Sequence, residues 1–409
     1  MQKVAPVGAQ GSVRPLWLIV ASAAGIVGIS MGLRQVMGLF LPPMTRDLGL
    51  SREAFALAMA VANLVWGLGS PLAGAVADKY GAGRVVAVGA LATMLGLYLM
   101  QAATSEPALL ISGVLLGVGI SGAGITSLMG VVGRNAPLEK RTSAIAAVGM
   151  GGGVGVLIAL PYTHMVMELL GWKACLIVLV VTAAVMLPLG WALSGRPVAI
   201  ATEKPQLLGE ALREAFTHSS FWLLTAGFFV CGFHLAFYGV HLPAYVADLG
   251  MPPSVAPIAL TLVGISNMVG IWLVGKWGQS LPKHYGLSLI YAARAVVFLG
   301  FLFLPMTPVT VVVLSVLLGF LWLSTVPLTS ALVATFFGPA WMSMLYGFVF
   351  LSHQIGSFLG VWLAGRLFDM TKSYDMMWWL SVALGVFAAL INWPIKEQPV
   401  ARLAASPAR

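Results

Sequence analysis

Charge is what this sequence has least of. Of its 409 residues, 22 are Lys or Arg and 13 are Asp or Glu, 9% in all, against about 25% in soluble domains. So small a set cannot coat a water-soluble chain of this length, which excludes a cytosolic enzyme and a disordered chain. Cysteine is scarcer still. Cys175 and Cys231 both lie inside apolar runs, which excludes a secreted disulfide scaffold and leaves two free thiols. There is no phosphate-binding loop, so an ATP-driven pump is excluded. The six histidines fall in no ligand spacing, so no metal site is expected. No nucleophile constellation is visible either, and neither an enzyme nor a cofactor is expected. The net charge of +9 would suggest nucleic acid in a soluble protein. In a lipid-embedded chain it reflects basic loops on one side, so no nucleic-acid partner is expected.

What the sequence has in quantity is apolar runs, with 59% of residues hydrophobic. A membrane-spanning helix needs about 20 such residues. Twelve runs qualify: 16–45, 54–77, 84–103, 107–133, 142–167, 172–194, 221–246, 254–278, 285–304, 308–336, 342–367 and 375–395. The first is longer than a signal-peptide core and reads as a retained span. The chain divides into a tail over 1–15, six spans over 16–194, a linker over 195–220 holding Pro197 and Pro205, six spans over 221–395, and a tail over 396–409. With the N-terminus in the cytoplasm, 15 bases fall on that side, 5 on the other, and Arg34 and Arg294 inside spans. That bias puts both termini in the cytoplasm of a multi-pass protein of the inner (plasma) membrane. A monomer in the lipid bilayer is expected.

The halves repeat at an offset of 201. Gly38-Leu39-Phe40-Leu41-Pro42 and Asp47-Leu48-Gly49 return as Gly239-Val240-His241-Leu242-Pro243 and Asp248-Leu249-Gly250. At the same offset Gly69 meets Gly270, Gly74 meets Gly275 and Gly155 meets Gly356. The fold class expected is an all-α membrane protein, twelve transmembrane helices in two six-helix pseudo-symmetric halves, a transporter architecture.

The loop after span 2 reads Gly74-Ala75-Val76-Ala77-Asp78-Lys79-Tyr80-Gly81-Ala82-Gly83-Arg84. On these residues the chain resembles the major facilitator superfamily. The resemblance implies a cytoplasmic gate at Gly74, Asp78, Lys79, Gly81 and Arg84. The second-half copy is degenerate, with Gln279 where the acid would stand. A finer resemblance, to the monocarboxylate porter and oxalate/formate antiporter branch, rests on three stretches. These are Leu33-Arg34-Gln35-Val36-Met37-Gly38-Leu39-Phe40, Ser352-His353-Gln354-Ile355-Gly356 and Gly365-Arg366-Leu367-Phe368-Asp369. It implies a base at the position of Arg34, where relatives carry Lys. It also implies an anion-binding Arg in span 8, where this chain offers only Asn267.

All 13 acids lie at span ends or in loops. A carrier of organic cations usually needs a buried carboxylate, so cationic substrates are disfavoured. Arg34 sits roughly 15–20 Å from either end of span 1, too deep to reach the surface easily. It cannot shed its proton, and a carboxylate fits its fork. Substrate contacts are expected from Arg34, Gln35, Tyr238, His241, Asn267, His353 and Gln354. The steps from His234 to Tyr238, His241 and Tyr245 place all four on one face of span 7. Gly239 and Pro243 suggest a kink or unwinding there. His234, His241 or His353 would carry a coupling proton, since histidine alone in this core titrates near neutral pH. Arg294 reads as packing against polar groups of span 8 or pairing at a helix end. Glycines between Gly149 and Gly155, and Gly117, Gly119, Gly122 and Gly124, read as close helix packing. Ser121, Thr126, Ser127, Trp322, Ser324, Thr325 and Thr329 are candidates to line a cavity.

The function expected is secondary active transport of a small organic anion, most of all a monocarboxylate, by alternating access with proton coupling. Efflux of an amphipathic drug or metabolite, and a non-transporting receptor on the same fold, remain open alternatives.

Overall fold

The computed structural model describes residues 15–124, 127–128, 132, 136, 138–194, 208–277, 281–338 and 342–404. Among these, eleven helical segments are long and apolar enough to cross a membrane. One of them, Ala144–Ala192, has 49 residues, about 74 Å of helix and twice the thickness of a bilayer core. It is two spans. Gly171 breaks it with φ 77 and ψ 166, a conformation that costs other residues dearly. The arms fold back on each other, with Tyr162 Oη 3.3 Å from Thr182 Oγ1 and the Cys175 thiol 3.6 Å from the Thr163 carbonyl. Twelve crossings result, numbered here in chain order.

Span 1 is Leu16–Leu48, span 2 Arg52–Ala77, span 3 Ala82–Ala102 and span 4 begins at Glu106–Ala123. Spans 5 and 6 are the arms of Ala144–Ala192 on either side of Gly171. Span 7 is Ser219–Asp248, span 8 Val255–Lys276, span 9 Lys283–Phe303, span 10 Pro308–Phe337, span 11 Met344–Thr371 and span 12 Asp375–Asn392. Of the expected linker, 195–207 lies outside the described residues, and Leu208–Thr217 forms a short helix with Ala211 and Ala215 turned inward. Continuous helix in span 4 ends at Ala123, ten residues before the expected end, because Gly124 turns extended (φ −85, ψ 171).

The repeat read from sequence is also a repeat of contacts. A Cβ on Gly155 would lie 2.0 Å from the Gly28 carbonyl oxygen, fixing span 5 against span 1. At the offset of 201, a Cβ on Gly356 would lie 2.0 Å from the Phe229 carbonyl oxygen, fixing span 11 against span 7. Small residues let these backbones touch, where packing must replace the hydrophobic drive that lipid removes. Gly38 and its repeat partner Gly239 meet each other, with a Gly38 Cβ only 2.5 Å from the Gly239 oxygen. The pseudo-twofold axis therefore runs between spans 1 and 7, past Gly38 and Gly239.

Of the kink or unwinding expected in span 7, the unwinding does not occur. Its helix runs from Ser219 to Asp248 through Pro243. Proline frees only the carbonyl four residues earlier, here Gly239, and that oxygen packs on Gly38. It is span 1 that changes form, tightening to a 3₁₀ turn over Val36–Phe40. Span 10 is likewise two helices, Pro308–Leu321 and Thr325–Phe337.

On the side away from the termini the halves are latched together. The Arg52 guanidinium grips both carboxylate oxygens of Asp248, one at 2.6 Å, and donates to Tyr374 Oη at 3.1 Å. Asp369 accepts from the Arg52 and Glu53 backbone N–H groups at 3.3 and 2.7 Å, capping the start of span 2 from the other half. Trp362 Nε1 donates to Glu53 at 3.0 Å. On the terminal side, Gly74 and its repeat partner Gly275 face open space. Among the described residues, the bonds that latch the halves have no counterpart at Gly74 or Gly275. Asp248→Asn removes a half-exposed, charge-assisted pair, about 1–2 kcal/mol after screening, and shifts the open/closed ratio roughly 5–30-fold. Spin labels on the exposed Arg46 and Ala247 will show a longer, broader distance distribution in that variant. An unchanged distribution would contradict the latch.

Candidate functional site

A cavity of about 50 Å³ lies at mid-membrane between spans 1, 2, 3, 4 and 7, room for several water-sized groups. Its walls are mostly apolar, among them Leu33, Met37, Met59, Leu116, Ile120, Leu235 and Val240. Its polar lining is Ser30, Arg34, Gln35, Asn63 and Thr93. Arg34 closes the last turn of the α-helical part of span 1, just before the 3₁₀ turn. That change of helix type and the Gly38–Gly239 contact hold it opposite span 7.

Arg34 Nη2 donates to Asn63 Oδ1 at 3.2 Å, and the guanidinium carbon lies 5.0 Å from the Trp66 ring centroid. Nε is buried with no partner. Among the described residues no carboxylate pairs with it. A guanidinium has five N–H donors and a charge it cannot lose, and here it meets one neutral amide and one ring face. Charge buried this deep calls for an opposite charge, and the cavity is where one can enter.

Asn63 is the junction of the site. Its Nδ2 donates to the Met59 carbonyl at 3.0 Å, which turns Oδ1 toward Arg34. Its backbone carbonyl accepts from Gln354 Nε2 at 2.9 Å. With that nitrogen committed, Gln354 Oε1 must be the acceptor of the 2.9 Å bond to His353, so His353 Nδ1 carries the hydrogen. The line Arg34–Asn63–Gln354–His353 crosses from the first half to the second. Gly67 makes room for it, since a Cβ there would lie 2.7 Å from Gln354 Cβ.

Arg34 and Gln35 line the cavity, and Gln354 and His353 join it through Asn63. Three residues expected at the substrate are engaged elsewhere. Tyr238 Oη lies 2.6 Å from Ser315 Oγ. His241 uses both nitrogens, with Tyr374 Oη at 2.9 Å and the Val361 carbonyl at 3.0 Å. Asn267 Oδ1 accepts from the Leu323 N–H at 2.9 Å, satisfying the break in span 10. His234 Nε2 donates to the Ser381 carbonyl at 2.9 Å. The face shared by these span 7 residues is real, and it looks into spans 10, 11 and 12. Ser121 bonds backbone carbonyls of spans 2 and 4, and Thr126 lies outside the described residues. Of the expected gate, Gly74 is open, Gly81 turns the chain with φ 94, Lys79 lies 5.1 Å from the Tyr80 ring and Arg84 is exposed. The Asp78 side chain lies outside the described ones.

Sequence reasoning passed over Asn63 and Trp66. The only signal for Asn63 is one amide in the apolar stretch Ala60-Val61-Ala62-Asn63-Leu64-Val65. Gly67→Val will force spans 2 and 11 apart at Gln354, at a cost of about 1–3 kcal/mol. A fall of several degrees in Tm in detergent is expected, and an unaltered Tm would contradict the contact.

The profile of the Major Facilitator Superfamily matches residues 20–361. Among curated proteins, monocarboxylate transporter 11 of Mus musculus is 27% identical over 281 residues, 65% of this chain and 61% of that protein. The chain thus spans about three-fifths of that relative's length. Monocarboxylate transporter 13 of Rattus norvegicus is 24% identical, covering 88% of this chain and 83% of that one. The oxalate:formate antiporter of Oxalobacter formigenes is 24% identical over 69% and 68%. Among solved structures, the nucleoside transporter NupG superposes with a TM-score of 0.78 at 16% identity, over 93% of this chain and 100% of that one. A bacterial homolog of the human lysosomal transporter Spinster, inward-facing and unoccupied, gives 0.73 at 15% identity, over 98% and 100%. These likenesses carry the fold. The chain belongs to the major facilitator superfamily, which places it with membrane transporters rather than with enzymes.

Proposed function

We propose that the protein is a secondary active transporter that carries a small monocarboxylate together with a proton by alternating access. The observation that carries this reading is Arg34, a permanent charge lining a mid-membrane cavity with no acid beside it among the described residues. One guanidinium matches one carboxylate, bidentate across its fork. Gln35 and Asn63 supply further polar contacts, and the apolar walls suit a short hydrocarbon body. The similarity to monocarboxylate transporters and to an oxalate:formate antiporter supports the same substrate class.

Arg34 cannot release a proton, so coupling needs another group. His353 is the histidine joined to Arg34 by hydrogen bonds. His241 has both nitrogens engaged, and His234 faces span 12. The proton on His353 and the anion on Arg34 would then sense each other through Gln354 and Asn63, and one proton with one anion makes an electroneutral load. The positive-inside bias supports an orientation with both termini in the cytoplasm of the plasma membrane. Gly74, Asp78, Lys79, Gly81 and Arg84 would close that side when the latch at Arg52 and Asp248 opens. The carrier works as a monomer in this reading.

The test is uptake of a panel of small monocarboxylates into proteoliposomes. Uptake will rise as the outside pH falls. Arg34→Ala will lower it about 30-fold or more, the equivalent of roughly 2 kcal/mol, and His353→Ala will remove the dependence on the pH gradient. Undiminished uptake by Arg34→Ala would overturn the site.

A further inference from the structure

Arg294, the second buried arginine, meets a helix end, one of the two expectations for it. Its Nη2 donates to the Leu321 and Trp322 carbonyls where span 10 breaks, the former at 2.7 Å. His241 on span 7 is buried too, but its bonds complete no helix end. Val361, which it meets, lies inside the helix Met342–Thr371, where carbonyls already pair along the chain. At offset 201 the copy of His241 is Phe40, and the copy of Tyr374 is Lys173. Asp47, the copy of Asp248, accepts from Trp172 of its own half at 2.8 Å. The first half is thus built without these polar groups, and the second half carries them where the latch lies.

The bonds around His241 fix where each hydrogen lies. The Val361 carbonyl, 3.0 Å from Nε2, can only accept, so Nε2 carries a hydrogen. In a neutral ring Nδ1 is then bare and accepts. Its partner at 2.9 Å is the Tyr374 hydroxyl. That oxygen already accepts from Arg52 Nη1 at 3.1 Å, so its own hydrogen goes to His241. Arg52 Nη1 donates its other hydrogen to Asp248 at 2.6 Å. The ring of Tyr374 is held by its neighbours, Phe368 at 4.8 Å and Tyr245 at 6.0 Å between centroids. Only the hydroxyl hydrogen is left to be aimed.

We propose that His241 is a positioning residue for the ionic latch. By taking the Tyr374 hydrogen it keeps the hydroxyl oxygen turned to Arg52, and that oxygen holds the guanidinium in line with Asp248. Without the acceptor the hydroxyl hydrogen is buried and unpaired, and the oxygen no longer has a fixed direction. Gly239 and Val240, the two residues before His241, line the cavity. One turn of span 7 therefore carries both a wall of the cavity and the acceptor that aims the latch. This role rests on the bonds of the latch alone and holds whatever the cavity carries.

Distances between spin labels on Arg46 and Ala247 of the full chain test it. His241→Leu removes both ring nitrogens and is expected to shift the unlatched/latched ratio upward about 2–10-fold, the loss of one hydrogen bond. Tyr374→Phe is expected to do the same. His241→Asn keeps an acceptor on Cγ, where Nδ1 stands, and is expected to retain the native distribution. On the Asp248→Asn background His241→Leu is expected to add little, because a residue that acts through the latch has nothing left to act on. A native distribution in His241→Leu would overturn the proposal. So would equal shifts in His241→Leu and His241→Asn, or a full additional shift on the Asp248→Asn background, which marks a merely structural role. Should His241→Leu fail to fold, the same cycle with Tyr374→Phe decides, since His241 acts on the latch only through that hydroxyl.

Discussion

A guanidinium deep in span 1, with no acid among the described residues to balance it, is the constraint around which this structure is arranged. Charge is expensive there, and Arg has no neutral form to retreat to. The chain answers with a cavity that has room for several water-sized groups, one amide oxygen and the face of Trp66. None of these cancels the charge. The site is unfinished until an anion enters, and in the proposed reading that incompleteness is what makes a substrate bind.

The same constraint explains the backbone around it. Span 1 tightens directly after Arg34, and Gly38 meets Gly239 without a side chain between them. The two halves thus touch backbone to backbone next to the cavity. Asn63 and Gln354 bridge them again one helix away. Arg34 is therefore bonded, through Asn63 and Gln354, to both sides of the interface between halves, the interface that alternating access would rearrange in the proposed reading. The ionic latch at Arg52 ties the halves together on the far side of that interface.

Much of this was legible in the sequence, for physical reasons that differ by residue. The twelve spans showed because lipid demands long apolar runs, and the halves showed because Gly38, Gly155 and their partners at offset 201 must stay small to let backbones meet. Arg34 showed because a base deep in an apolar run has few ordinary explanations. Asn63 did not, because a neutral amide in a helix has no signature until its partner, 29 residues away, is in place. Arg52, Asp248 and Asp369 looked like any charges at span ends, and only the docking of the halves makes them a latch. Spacing put His234, Tyr238 and His241 on one face correctly. It could not say which neighbours that face would meet.

The central claim is that Arg34 awaits an external anion because no described residue supplies an internal one. Asn63→Asp provides that internal anion, at the atom now 3.2 Å from Arg34 Nη2, with almost no change of shape. Binding of a small monocarboxylate, measured by calorimetry on the purified protein, should then weaken at least about tenfold. Binding as tight in Asn63→Asp as in the unaltered protein would contradict the account.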